Sequence, residues 1–90
     1  MNGKQLNVVS FLRKQPQDYL CQFLGRLKSD CDYYLFLGNR QVNRLWAKNV
    51  DDQIDYMKIV YGMIKVKPEF ITESMIKDYE RRMKVWLWII

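Results

Sequence analysis

Residues 17–36, QDYLCQFLGRLKSDCDYYLF, decide the fold class of this chain. Their apolar side chains recur at three- and four-residue spacing, which places them on one broad stripe when successive residues turn by about 100°. This pattern predicts an amphipathic helix over residues 17–37, which Pro16 precedes and the Gly38-Asn39 pair ends. The members of the stripe are Tyr19, Leu20, Phe23, Leu24, Leu27, Cys31, Tyr34 and Leu35.

Two more helices are predicted C-terminal to this stretch, over residues 51–65 and 72–88. Residues 49–52 suit the start of the first, because acidic side chains favour the positive end of a helix dipole. Lys67-Pro68 interrupts the chain, and Thr72 is a favourable N-cap for the second. Residues 38–50 are predicted to form a loop, which Leu45-Trp46-Ala47 anchors to the core.

A basic N-terminal element covers residues 1–15. It contains Val8-Val9 and Phe11-Leu12, but it is too short for its hydrophobic pattern to distinguish a helix from a strand. Together these elements predict an all-α protein, a compact bundle of three main helices plus a short N-terminal element. Because 90 residues is the length of one domain, we expect a single helical domain over residues 1–90.

The residue types present argue against catalysis and metal binding. Histidine is absent, which removes the most common general base and metal ligand. Two cysteines occur, Cys21 and Cys31, and two thiols alone do not complete a zinc site. The sequence has no Gly-rich phosphate loop and no serine nucleophile elbow. We therefore expect a protein that is not an enzyme and that holds no metal or cofactor.

Hydropathy and cysteine spacing indicate a cytoplasmic protein. The longest apolar run is residues 85–90, far short of the roughly 20 residues that a membrane-spanning helix needs. The step from Cys21 to Cys31 covers about 15 Å along a helix, which is beyond the reach of a disulfide. We therefore expect free thiols in a reducing compartment and no membrane contact.

Asp30 is the unusual acidic residue, because the helical wheel places it inside the apolar stripe. A charge there is costly unless it is paired. Arg26 lies one turn earlier, so we interpret Arg26 and Asp30 as a structural polar anchor. In this interpretation Asp30 accepts hydrogen bonds from Arg26, from loop backbone near residues 44–46 or from a tyrosine hydroxyl. A functional role at the surface and carboxylate catalysis are the alternatives.

Basic charge is concentrated in segments 1–14 and 39–49, each with three cations and no acid, in a chain of net charge +5. On one face the two segments would suit phosphates or carboxylates; otherwise they are solvated loop surface. No recognition helix accompanies them. The residues that would contact nucleic acid are Lys4, Arg13, Lys14, Arg40, Arg44 and Lys48.

A protein-binding surface is the other interpretation, because tyrosine, tryptophan and arginine favour binding hot spots. Tyr33 either joins basic residues in an exposed patch or covers the edge of the core. In the apolar tail, residues 85–90, Trp88 lies off the core stripe. That tail packs within the chain, forms a homodimer contact or binds a target, so the protein is a monomer or a homodimer. The candidate partner-binding residues are Tyr33, Arg40, Arg44, Lys48 and Trp88.

A set of residue types in fixed order resembles a known family over about residues 20–83. The similar segments are Leu24-x-x-Leu27, Ser29-Asp30-Cys31-x-Tyr33-Tyr34-Leu35, Gly38-Asn39-Arg40, Leu45-Trp46-Ala47, Gln53-Ile54 with Met57, and Lys67-Pro68-Glu69-Phe70 with Ile76, Tyr79 and Met83. The chain resembles a large polyvalent protein-associated domain, a short domain of phage and mobile-element proteins.

The resemblance implies a phage or plasmid setting, with action in the host cell and a part in conflict between host and element. It implies no catalytic residue. The function expected from it is that of a small interaction protein. Such a counter-defence protein would bind and block a host protein such as a defence nuclease. The alternative is a nucleic-acid-binding accessory protein that uses segments 1–14 and 39–49.

Overall fold

Residues 17–35 form the longest helix in the described part of the chain. A computed structural model describes residues 3–84, in which every regular element is helical and no strand occurs. The helices are α1 (Gly3–Arg13), α2 (Gln17–Leu35), α3 (Val50–Met63) and α4 (Glu73–Lys84), with a 3-10 turn at Val42–Arg44 in the loop between α2 and α3. None of these helices has the length and apolarity that crossing a membrane requires.

The N-terminal element corrects the predicted architecture. It is a helix of 11 residues, so the described part of the chain contains four helices rather than three and a short element. α1 lies against α3, buries Val9 and Leu12, and donates a hydrogen bond of 2.6 Å from Gln5 Nε2 to Asp52 Oδ1. This contact with a distant helix fixes a conformation that local periodicity could not choose.

The predicted helix ends are close to the observed ones and differ for local reasons. α2 stops at Leu35 instead of residue 37, because the chain turns back and the Gly38 N–H donates to the carbonyl of Tyr33. α3 begins at Val50, since the Asn49 side chain accepts from the Asp52 N–H at 2.8 Å. It ends at Met63 instead of residue 65. The predicted residues 85–88 of the last helix lie outside the described range.

α4 starts where the capping pattern predicts. Its N-terminus is held by the Thr72 hydroxyl, which accepts from the Met75 N–H at 3.1 Å. The helix packs mainly on α3 and also touches α2. Its buried residues recur at positions 76, 79 and 83, the spacing that an amphipathic helix needs to keep one face in the core.

The core lies between α2, α3 and α4. Residues from the α2–α3 loop and the α3–α4 loop complete it. Most of its members are less than 3% exposed, so the helices are held by burial of apolar surface. Its main members are Leu12, Leu20, Leu24, Leu27, Cys31, Tyr34, Leu45, Ile54, Met57, Val60, Ile64, Ile71, Ile76 and Met83.

Candidate protein-binding site

The C-terminal end of α2 carries three aromatic rings, and an arginine lies over each of them. The guanidinium carbon of Arg44 is 5.4 Å from the ring centre of Tyr33, and that of Arg40 is 5.8 Å from the ring centre of Tyr34. Arg82, from α4, lies 5.3 Å from the ring centre of Phe36. Each distance is within the range of cation–π attraction. We call the exposed and partly exposed members the arginine–aromatic face: Tyr33, Phe36, Arg40, Arg44 and Arg82. The ring of Tyr34 is itself buried.

A tight turn positions this face. Asn39 and Arg40 have φ values of 52° and 58°, the left-handed conformation that reverses the chain after α2. Gly38 is required for a different reason. A Cβ at this position would lie 2.7–2.9 Å from the Tyr33 ring and 2.9 Å from its carbonyl oxygen. The turn therefore closes tightly on Tyr33 and returns the arginines of the loop to the rings.

Contacts to α4 tie the loop down. Arg40 Nη1 donates to the carbonyl oxygen of Arg82 at 3.1 Å, which joins the loop to the last described turn of α4. Arg82 in turn lies 3.7 Å from the Asp78 carboxylate. The loop residue Arg40 and the α4 residue Arg82 therefore contact each other beside the end of α2, and the sequence did not indicate Arg82 as a candidate. Nothing in the local pattern of α4 distinguishes it from the other exposed cations of that helix.

The face is positively charged, and Arg44 is its most available cation. No carboxylate among residues 3–84 forms an ion pair with Arg44, whose partner is the ring of Tyr33. Arg26, one helical turn before Asp30, lies nearby and is 62% exposed. A cleft of about 390 Å³ is lined by Arg26, Ser29, Asp30, Tyr33 and Arg44.

Two side-chain acceptors, the partly buried Asp30 and the buried Gln53, hold the loop beside this cleft. Asp30 Oδ2 accepts from the Trp46 N–H at 3.0 Å, and Gln53 Oε1 accepts from the Ala47 N–H at the same distance. Gln53 Nε2 also donates to the Leu27 carbonyl at 3.2 Å. We call Asp30 and Gln53 the loop clamp, because they fix two successive backbone amides from two different helices.

Asp30 lies where the anchor interpretation placed it. Its side chain is 14% exposed, and its second oxygen is 3.4 Å from Nε of Arg26. The tyrosine hydroxyl belongs to another carboxylate, since Tyr79 donates to Asp32. Gln53 is fully buried and was missed. The apolar residues at i+4 and i+7, Met57 and Val60, place it inside a buried stripe and could have identified it.

The remaining sequence candidates do not join the arginine–aromatic face. Lys48, at a φ of 66°, donates from Nζ to the carbonyl of Asn43 at 2.9 Å. It lines a separate cleft of about 310 Å³ that also contains Lys4 and Asp52. Arg13 and Lys14 lie at and just beyond the other end of α1. Trp88 lies outside the described residues.

The buried thiol and phenol at the centre are poor nucleophiles. Burial raises the pKa of the Cys31 thiol to about 12, and the carboxylates of Asp30 and Asp32 add to this effect. Burial and the hydrogen bond to Asp32 raise the pKa of Tyr79 to about 12. Both groups therefore stay protonated at neutral pH. Within residues 3–84, no group of three or more histidine, cysteine or acidic side chains could hold a metal ion.

A comparison with protein-family models shows which family the chain is similar to. The model of large polyvalent protein-associated domain 11 matches residues 17–83, which confirms the resemblance inferred from the motif and extends it to the start of α2. No curated protein and no solved structure matches the chain.

Proposed function

The chain belongs to the large polyvalent protein-associated domain 11 family, and from this premise we propose that it is a non-enzymatic protein that acts by binding another protein. The family is associated with the polyvalent proteins of phages and other mobile elements. The proposed site of action is the cytoplasm of the host cell. The proposed mode of action is occlusion, in which the bound protein loses access to its own substrate or partner.

The arginine–aromatic face is the observation that carries this proposal. Arginine and tyrosine supply both planar apolar contact and charge-assisted hydrogen bonds, and they are enriched among the residues that dominate binding energy. Arg44 over Tyr33 is held in place by a ring and leaves its donors available to an acidic partner. The turn and the loop clamp make this surface rigid before binding, which lowers the entropy cost of association.

Counter-defence is the specific form that we propose. In this role the chain would bind and block a host protein, such as a defence nuclease. The positive face of this chain would complement an acidic surface on such a partner. The family's association with mobile elements supports this form of the proposal.

A photo-crosslinking experiment in host cells tests the proposal. Tyr33 is replaced by p-benzoylphenylalanine, which keeps an aromatic ring at the centre of the face and reacts with any protein bound there. The matched control carries the same group at Phe70, which is similarly exposed but lies outside the arginine–aromatic face and its cleft. We expect a discrete protein adduct from position 33 that is absent from position 70 and is lost when Arg44→Glu is added.

Identical adduct patterns from positions 33 and 70 would contradict the proposal, as would the absence of any adduct from a folded chain. If the crosslinked protein is a nuclease, its purified form is then assayed with the chain present. DNA cleavage should fall as the chain is added, and the Arg44→Glu variant should leave cleavage unchanged.

Nucleic-acid binding is the second candidate, and one observation favours it. Lys4 and Lys48, from the two basic segments, line the same cleft. Asp52 also lies in that cleft, however, and the cations at the far end of α1 are remote from it. The cations of this cleft therefore do not by themselves form the continuous positive groove that would follow a nucleic-acid backbone. Binding that weakens steeply as salt rises would favour this candidate over the first.

A further inference from the structure

One face of α2 carries exposed or partly exposed residues at the spacing of a helix-packing seam. The residues are separated by four, three, four and three positions, so they follow one side of the helix as the a and d positions of a coiled coil do. From first to last they cover about 21 Å of helix axis. We call them the α2 strip: Tyr19, Phe23, Arg26, Asp30 and Tyr33.

Two clefts meet along this strip and share Arg26. The first, of about 420 Å³, is apolar and is lined by the side of α1 that carries Phe11 and by the ring of Trp46. Its wall of aromatic rings runs from Phe11 to Tyr19, Phe23 and Trp46, with ring centres 4.9–6.5 Å apart. The second is the basic cleft of Tyr33 and Arg44. The strip therefore has an apolar end and a positively charged end.

We propose that the α2 strip is the docking groove for an amphipathic helix of the partner protein. The apolar side chains of this helix enter the cleft beside Phe11 and Phe23, and carboxylates on its neighbouring turn meet Arg26 and Arg44. This inference rests on the proposed function and specifies the chemistry of its partner. A helix of about 14 residues covers the length of the strip.

Charge complementarity selects this occupant. Arg44 is exposed and forms no ion pair with a carboxylate among residues 3–84, and Arg26 keeps most of its side chain in solvent beside a long 3.4 Å contact to Asp30. An acidic turn would pair with both at once. The other end offers exposed rings at Phe11 and Tyr19, which are 52% and 40% exposed. Apolar contact there would remove those rings from water.

A second copy of this chain fits the strip poorly. In an antiparallel pairing of two strips the midpoint, Arg26, would oppose the Arg26 of the second copy. In a parallel pairing the Arg44 side chains would come together. Both arrangements place like charges opposite each other, which is unfavourable at a desolvated contact.

Nucleic acid is also disfavoured at this groove. Single strands bind along continuous positive grooves, in which each phosphate meets a cation. Here the apolar cleft contains one cation, Arg26, at its junction with the basic cleft. A protein helix, whose apolar and acidic turns are separate, matches this uneven distribution of charge.

A peptide selection with the full chain tests this inference. The probe is a displayed library of random peptides of about 16 residues, long enough to cover the strip as a helix. We expect enriched peptides to carry apolar residues at three- and four-residue spacing and a cluster of Asp or Glu on the adjoining turn. Circular dichroism should show that a selected synthetic peptide gains helicity when it binds.

Variants in the two clefts that meet along the strip show whether the peptide binds in this groove. Arg44→Glu and Phe11→Ser should each weaken binding of a selected peptide by at least about tenfold, because they remove the charged and the apolar contact. The matched controls are Lys65→Glu, with the same charge change, and Val66→Ser, which is at an 85% exposed apolar site. Both controls should bind the peptide as the unaltered chain does.

Four results would overturn the inference. They are no enrichment, enrichment without acidic residues, binding that Arg44→Glu leaves unchanged, and displacement of the peptide by a 15-nucleotide single strand of thymidines. The crosslinking experiment separates this outcome from the proposed function. An adduct at position 33 together with peptides that lack the acidic turn would keep protein binding and reject the acidic helix. Peptide binding without any cellular adduct would keep the preference of the groove for an acidic helix and would reject binding of a host protein at this site.

Discussion

The loop clamp and the α2 strip share Asp30, but their other residues are of different kinds. In the clamp, the partly buried Asp30 and the buried Gln53 hold the amides of Trp46 and Ala47. In the strip, the other side chains are exposed or partly exposed. Removing a clamp acceptor leaves a backbone amide without its partner, whereas truncating an exposed side chain of the strip leaves the core unchanged. The clamp should therefore determine stability, and the exposed residues of the strip should determine binding.

The residues that resemble the family include the loop clamp, core residues beside it and one ring of the strip. Asp30, Trp46-Ala47 and Gln53 belong to the motif, and so does Tyr33. Part of the motif therefore holds the loop on the bundle, and part of it lies at the surface. Phe11, which lines the apolar cleft beside the strip, precedes the matched residues 17–83. The proposed binding surface therefore includes a side chain outside the matched residues.

The largest effect on stability is expected at Gln53. Gln53→Ala removes the acceptor of the Ala47 N–H and the donor to the Leu27 carbonyl inside the core. We expect the free energy of unfolding to fall by about 2–4 kcal/mol, because two polar groups lose a partner in a buried site. Urea denaturation measures this loss. Gln41→Ala, at an exposed glutamine of the same loop, is the control and should change stability by less than about 0.5 kcal/mol.

If Gln53→Ala unfolds at the same urea concentration as the unaltered chain, the clamp does not determine stability. The proposed difference between the clamp and the strip would then be wrong. Equal losses for Gln53→Ala and Gln41→Ala would lead to the same conclusion.

A smaller effect is expected at Asp30, which is closer to solvent. Asp30→Ala leaves the Trp46 N–H without its acceptor, and we expect a loss of roughly 1–3 kcal/mol in the free energy of unfolding. Asp30→Asn keeps an acceptor oxygen and should recover most of that loss, since the pair with Arg26 is long and largely exposed. Thermal and urea unfolding of the two variants provide the comparison. If Asp30→Asn lowers the free energy of unfolding as much as Asp30→Ala does, the stabilisation comes from the negative charge of Asp30 and not from its hydrogen bond to the Trp46 N–H.

The sequence predicted the helices well where periodicity was long. α2 shows its apolar stripe over 19 residues, and the caps at Asn49 and Thr72 mark the starts of α3 and α4. α1 could not be assigned, because its buried residues are Gln5, Val9 and Leu12 while Leu6 and Phe11 stay exposed. That arrangement has a weak helical pattern, and the helix is fixed by its contact with α3.

The candidate partner-binding residues stay a prediction, but the structure shows which of them are neighbours. The loop folds back on α2 at Gly38, so that Arg44 lies over Tyr33 and Arg40 over Tyr34. Arg82 could not be predicted, since its place beside Phe36 depends on how α4 crosses the bundle. Lys48 lies apart from the face, in the cleft that it shares with Lys4 and Asp52. Spacing in the sequence defines a helix face, but it does not define which loop covers it.

The smallest effect on stability is expected at Arg44, which lines the basic cleft beside the strip, and it is the sharpest check on the comparison. Arg44→Ala removes a cation whose contact with Tyr33 lies at the surface, so the free energy of unfolding should change by less than about 0.5 kcal/mol. The change in the free energy of unfolding caused by Arg44→Ala should be the same at low and at high salt when it is measured by urea denaturation. The reason is that Arg44 has no ion-pair partner within residues 3–84 for salt to screen. A loss above about 1 kcal/mol would mean that the arginine supports the turn after α2. Weaker partner binding by the arginine variants would then reflect a disturbed fold, and the separation of stability from recognition would no longer hold.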